Sequence, residues 1–239
     1  MSLQAHALAI TATGALAETL PAWVRVVMEP HDPLALADDD GERVIVAVFV
    51  GDEVATIQGR KWAQGETTVE LVVQVLLPPR VTAEISGVAC TFDTRTGGTR
   101  PIYALVHEAL RRAFTTPAPE SWRELLQTVW VGHPEALHGM PGKAERPNKP
   151  PVPVMDYSIP CRVIMPPALG RPAPTPWPEI VARMRADEAF TPAEADYFEA
   201  LIAGDPLTVE QAALALAGLS RAEGSALGFE VADPIVGAL

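Results

Sequence analysis

The clearest patterning of apolar and polar positions lies between Arg43 and Leu77. Val44-Ile45-Val46-Ala47-Val48-Phe49-Val50 is a nearly unbroken apolar run. It is short for a globular helix and rich in β-branched residues, so it predicts a strand buried on both faces. After a polar stretch from Gly51 to Glu66, the positions Thr67, Val69, Leu71, Val73, Val75 and Leu77 alternate with Thr68, Glu70 and Gln74. That is the period of a strand with one face in a core. Pro78-Pro79 ends it, because neither proline offers an amide to a sheet ladder. Two successive strands with no helix between them predict an antiparallel ribbon, and its connection is far longer than a tight hairpin needs.

Around this ribbon the other elements fall in order. Leu3, Ala7, Ile10, Gly14, Ala17 and Leu20 lie near one face at helical spacing and predict an N-terminal helix stopped by Pro21. Trp23 to Met28 reads as a short strand, and Glu29 to Glu42, with Pro30, Pro33 and Asp38-Asp39-Asp40-Gly41, as a loop. Pro79 to Arg100 is mixed, with turns at Gly87, Gly97 and Gly98. Pro101 suits the first turn of a helix whose stripe is Ile102, Leu105, Val106, Ala109, Leu110 and Ala113, with Glu108, Arg111 and Arg112 facing water. A short helix follows from Pro119 to Gln127, then a strand from Thr128 to Val131 and a loop or splayed hairpin from Pro134 to Pro153. Met155, Tyr157, Ile159, Cys161, Val163 and Met165 alternate cleanly as a last strand. Pro160 within it predicts either an edge strand or an amide position without a partner.

The pattern then changes. Pro166 to Pro176 is too rich in proline for helix or sheet and reads as a semi-rigid extended linker. Beyond it the chain is helical: Pro178 to Glu188, a capped helix from Thr191-Pro192-Ala193-Glu194 to Ala203, and another from Thr208-Val209-Glu210-Gln211 to Arg221, with an apolar tail from Phe229 to Leu239. The expected class is α+β: a mostly antiparallel sheet flanked by two or three helices over 1–165, a linker over 166–178 and a small all-helical extension over 179–239.

Composition narrows the function classes. The 239 residues are 48% hydrophobic, enough for a real core, and carry a formal charge of −12. That balance argues against a non-specific nucleic-acid binder, which needs clustered Lys and Arg. No stretch reaches the ~20 apolar residues of a membrane span, and the N-terminus lacks the basic region of a signal peptide, so a soluble protein is expected. Cys90 and Cys161 are expected as free thiols of a reducing compartment, with a disulfide as the alternative.

Catalytic signatures do not form. Gly139 to Ala144 resembles the end of a phosphate loop but has Leu137 and Ala144 where glycine and Ser or Thr belong. His133, Glu135 and His138 lack metalloprotease spacing, and the Asp38-Asp39-Asp40 triplet lacks the spaced ligands of a calcium loop. No nucleophile elbow surrounds Ser86 or Ser121, and neither Cys90 with His107 nor Asp52 with Glu53 sits in a recognisable catalytic setting. No cofactor, metal or catalytic group is called for.

The order of elements over residues 3 to 165 resembles the tail terminator proteins of long-tailed bacteriophages. The closest likeness is Val46-Ala47-Val48-Phe49-Val50-Gly51, followed after a polar loop by Thr68 to Leu77 and Pro78-Pro79; in that family a similar strand leads through a mobile loop into a strand ending in Leu-Pro. The helices after Pro166 have no counterpart in the small members of the family. The resemblance implies a virion protein, assembled in the host cytoplasm and carried in the tail or neck. It would cap the tail tube as a hexameric ring, stop polymerisation and dock to the head or neck connector, with DNA only passing through. On this reading Arg60, Lys61 and Trp62 in the long loop are the candidate tube or intersubunit contact, against the alternative that Trp62 folds back on its own sheet. Lys143, Arg146 and Lys149 form a second basic patch, suited to an acidic surface of the next subunit such as Asp38, Asp39 and Asp40. Another head-tail connector or tail completion protein, and a small-molecule enzyme or binding domain of α+β type, are the rival readings.

Overall fold

A computed structural model describes residues 2–29, 33–39, 43–55, 67–85, 88–94, 99–116, 118–131, 137–146, 149–167 and 172–203. The chain divides into two compact units, Met1–Met165 and Pro166–Leu239. In the first, the elements run α1 (Leu3–Thr19), β1 (Val24–Met28), α2 (Pro33–Asp39), β2 (Val44–Ala55), β3 (Thr67–Leu76), β4 (Arg80–Ile85), β5 (Val88–Asp93), α3 (Thr99–Thr115), α4 (Trp122–Val129), β6 (His138–Arg146) and β7 (Lys149–Val163). The fold is α+β. A five-stranded sheet in the order β1-β2-β3-β7-β6 carries the unit, and β4 and β5 form a separate two-stranded sheet. β1 runs parallel to β2, and the other pairings in the large sheet are antiparallel.

One face of the sheet is the core face. Val44, Val46 and Val48 of β2, Val69, Leu71, Val73 and Val75 of β3, and Tyr157, Ile159 and Cys161 of β7 are buried on it. α1 packs against strands β1, β2, β3 and β7. The expected one-sided stripe on α1 is corrected here: the helix is buried almost all round from Gln4 to Leu16, because α3 and α4 cover its outer side. Small residues make that close packing possible. A Cβ at Gly14 would lie 2.3 Å from the Trp122 ring, so the fully buried indole of α4 rests directly on the helix backbone. The Glu18 carboxylate accepts from the Trp122 backbone N–H at 3.0 Å, joining α1 to the start of α4. Thr11 is satisfied within α1, its hydroxyl donating to the Ala7 carbonyl at 2.8 Å.

Several expectations change. The stretch read as a loop from Glu29 to Glu42 contains α2, which Pro33 opens at the helix position where a missing amide costs nothing. β2 continues past Val50 to Ala55, through a register irregularity between Val50 and Glu53. The mixed segment after Pro79 holds the β4–β5 hairpin. The strand expected from Thr128 to Val131 is instead the end of α4, with Trp130 forming a single bridge to Val163. The hairpin alternative for 134–153 holds, with β7 beginning at Lys149.

The prolines of β7 fall where ladder donors are not needed. Pro153 faces β3 beyond its last strand residue, giving its carbonyl to the Leu77 N–H at 3.1 Å. Pro160 lies on the opposite side, as Arg162 does, whose carbonyl accepts from the Val131 N–H at 2.7 Å. β6 ends at His138 opposite Ser158, so no β6 carbonyl stands opposite Pro160. This is the unpartnered amide position, within a strand that has β3 on its other side.

In the second unit, α5 (Trp177–Ala186) and α6 (Pro192–Ala203) are described. Thr191 and Glu194 form the expected capping box: the Glu194 N–H donates to the Thr191 hydroxyl at 3.3 Å, and the Glu194 carboxylate accepts from the Thr191 N–H at 2.6 Å. Trp177 and Phe198 pack between the helices with ring centroids 6.3 Å apart. Arg185 spans α5 to α6 with ion pairs to Asp196 and Glu199 at 2.9 and 2.6 Å. The third expected helix, Thr208 to Arg221, and the tail from Phe229 lie outside the described residues.

Candidate interaction surfaces

The sheet positions two ribbon tips at opposite ends. β2 and β3 close at one end, where Ala55 pairs with Thr67 and Thr67 in turn pairs with Val163. β6 and β7 close at the other, where Arg146 pairs with Lys149. From Lys149 to Val163 along β7 the tips stand roughly 45 Å apart at strand rise. The β6–β7 hairpin also passes beyond β3, since β3 stops at Leu76 opposite Val154.

Of the candidate residues, Arg60, Lys61 and Trp62 belong to the connection between Ala55 and Thr67 and lie outside the described residues. Lys143, Arg146 and Lys149 are brought together on the β6–β7 hairpin, with Lys143 exposed on the outer strand. Asp38 and Asp39 fall in the last turn of α2, and Asp40 is outside the described residues. On α3, Glu108 bridges Arg111 and Arg112 at 2.7 and 2.9 Å, which holds its carboxyl down at about 2.

Both sheet edges carry devices against uncontrolled pairing. β6 is an outer strand whose outward-facing backbone positions alternate with those bonded to β7, and Pro141 takes one of the outward positions, removing a donor. At the other edge β1 stops at Met28 opposite Val48. Glu29 turns there with φ 43°, its N–H donating to the Val48 carbonyl at 2.8 Å while its carboxylate takes the Val50 N–H. Burial pushes the Glu29 carboxyl up, and that hydrogen bond opposes the shift. Past Glu29, β2 runs on with Gly51, Asp52, Glu53 and Val54 exposed.

The second face of the sheet is divided. Near the β3 end, Ile45, Ala47, Leu76, Val152 and Val154 form a small core under Leu34 of α2, with Val27, Phe49 and Ala144 at its margin. Farther along, the same face turns polar and half-buried. Ser158 donates its hydroxyl to Glu70, and the Gln74 amide donates to Asp156 at 3.0 Å, each a cross-strand pair between β3 and β7. Phe49 and Val72 are half-buried beside them, and Met140 of β6 is 59% exposed. This acidic and apolar row was missed by sequence reasoning. Its signal was the polar residues at alternate positions of two strands; their register was not visible.

Protein-family models and curated proteins give no match to the chain.

The ionisable groups elsewhere are structural in setting. Burial pushes the Cys161 thiol up to about 12, and both cysteines are free, Cys90 lying half-buried on β5. His107, weighed with Cys90 as a dyad, instead stands against the Tyr157 ring at 5.9 Å. Tyr103 is pushed up to about 12, first by burial and then by the nearby Tyr157 and Asp156. Burial draws His6 down to about 4. Among the described residues no group of three or more His, Cys, Asp or Glu is placed to hold a metal, and no helix is long and apolar enough to cross a membrane.

Proposed function

We propose that this protein is a structural, non-catalytic cap of a phage or phage-like tail tube. It assembles as a ring, ends tube growth and offers its other side to a head or neck component. The single observation that supports the reading is that two ribbons of one sheet close at opposite ends, β2–β3 at Ala55–Thr67 and β6–β7 at Arg146–Lys149, the second carrying Lys143, Arg146 and Lys149. A cap must contact the last tube ring on one side and its next partner on the other, and a stiff plate with unlike ends meets that need. The whole chain carries a net charge of −12, so a basic segment such as Lys143 to Lys149 is where an acidic partner is favoured, while the overall acidity limits retention of passing DNA. The virion tail or neck is the corresponding location.

The test is recruitment to purified tail tubes. The wild-type chain should sediment with tubes and appear as a ring at one tube end. Replacing Arg60 and Lys61 together by Glu should abolish capping and leave the thermal unfolding of the chain unchanged. Capped tubes of normal length with the double variant would remove the loop from the mechanism. Binding to a purified neck component with none to tubes would overturn the cap itself.

A further inference from the structure

α4 carries two nitrogen donors that the fold buries and does not satisfy. Arg123 Nε and Gln127 Nε2 are both shielded from solvent and have no hydrogen-bond acceptor. They belong to residues one turn apart, so both side chains leave the same side of the helix, beside the buried stripe of Trp122, Leu126 and Val129. Each residue as a whole is only half-buried, so this side of α4 is reached from the surface. Native folds pair nearly all such atoms, and an orphaned donor on a cation is the more costly kind.

The carboxylates around the start of α4 are committed elsewhere. Glu18 turns both oxygens to the Trp122 N–H, at 3.1 and 3.0 Å. Glu124 accepts from the Glu120 N–H at 2.7 Å, within the N-terminal cap of the helix. Among the described residues Arg123 makes no ion pair, whereas Arg111, Arg112 and Arg185 each do. The chain has 30 acidic residues against 18 basic ones, so an arginine without a carboxylate is not explained by a shortage of acids.

We propose that Arg123 and Gln127 form a binding site for a carboxylate group from outside the chain's own fold, an inference independent of the cap reading. One cation and two shielded N–H donors match the single charge and two oxygens of a carboxylate. A phosphate dianion suits the place less well, because Glu120 and Glu124 stand exposed around the start of α4. A water accepts from the same donors but brings no charge to the guanidinium, which makes the two occupants separable. A free small acid and an acidic side chain of a second copy present the same chemistry to the site.

The experiment follows the Arg123 Nε–H and Gln127 side-chain amide signals of the isotope-labelled full chain by NMR during titration with sodium acetate, against sodium chloride at matched ionic strength. Acetate should move both signals saturably, and chloride should not. Arg123→Gln should abolish the saturable response, and Gln127→Leu should raise the acetate midpoint by about threefold or more. Dilution of the chain before acetate is added separates the sources. Signals that move on dilution identify a second copy as the carboxylate donor, and signals that stay identify a free acid. A response to acetate no different from that to chloride at every dilution means an ordered water only and overturns the inference. So does an unchanged acetate midpoint in Gln127→Leu, the variant that decides the matter if Arg123→Gln does not fold.

Discussion

Gly14→Ala tests the packing on which the first unit depends. In an exposed helix interior this change favours folding by about 1 kcal/mol, since alanine loses less backbone entropy and has the higher propensity. Here the new methyl would lie 2.3, 2.4 and 2.6 Å from Cδ2, Cγ and Cε2 of Trp122. Ordinary carbon contacts need about 3.5 to 4 Å, so α1 and α4 must part by more than about 1 Å or the indole must leave its rotamer. Neither is easy, because Trp122 is fully buried and its amide is held by Glu18. Overpacking of this kind costs about 1–3 kcal/mol or more. The net change should be a destabilisation of about 2 kcal/mol, or about 4–8 °C in the midpoint of the first unit's thermal transition. A double-mutant cycle in urea isolates the contact. In a Trp122→Leu background, itself destabilised, Gly14→Ala should become neutral or stabilising, giving a coupling of about 2–3 kcal/mol. A stabilisation by Gly14→Ala in the wild-type chain, or the same effect in both backgrounds, would refute the reasoning.

Two further measurements bear on the core. His6 has an ordinary value of 6.5 and a folded value of about 4, so the unfolded chain binds the extra proton between them. Its contribution to stability is complete above pH 6.5, is lost as the pH falls to about 4, and amounts to about 3 kcal/mol at most. His6→Gln should flatten the urea midpoint across that window; an unchanged slope would show that His6 is not neutral in the folded state. Glu29, raised by burial, acts in the opposite sense: its contribution is complete below its unfolded pKa and is lost as the pH rises, so the His6 variant is needed to separate the two. A maleimide should label Cys90 in the native protein and spare Cys161, with both labelled after denaturation, and rapid native labelling of Cys161 would contradict its burial on β7.

What the sequence disclosed follows the range of the forces involved. The β2–β3 ribbon, α3, the alternating part of β7 and the Thr191–Glu194 box are written in local periods and caps, and they stand close to where the pattern put them. α2 was hidden because Pro33 read as a loop breaker, although the first turn of a short helix tolerates it. Thr128 and Val129 suggested a strand by propensity, yet they complete the α4 turn that carries Trp130 to Val163. The all-round burial of α1 depends on where α4 lands, which no local pattern states. Of the candidate surfaces, the basic hairpin was legible as three cations close in sequence. The acidic row was not, because Glu70 meets Ser158 and Gln74 meets Asp156 across separations of 88 and 82 residues.

The same register explains where the covering of the second face by the described elements stops. α2 is short and places Leu34 over the rows at Ile45, Leu76 and Val154, where the facing side chains are apolar. One row farther, at Ala47, Gln74 and Asp156, a polar pair enters, and beyond it Phe49, Val72 and Ser158 continue into Glu70. A longer helix on that side would bury the Gln74–Asp156 and Glu70–Ser158 pairs, at a desolvation cost that neutral donors do not fully offset. The polar residues therefore set the limit of the small core, and they leave a carboxylate-bearing surface beside a rigid ribbon.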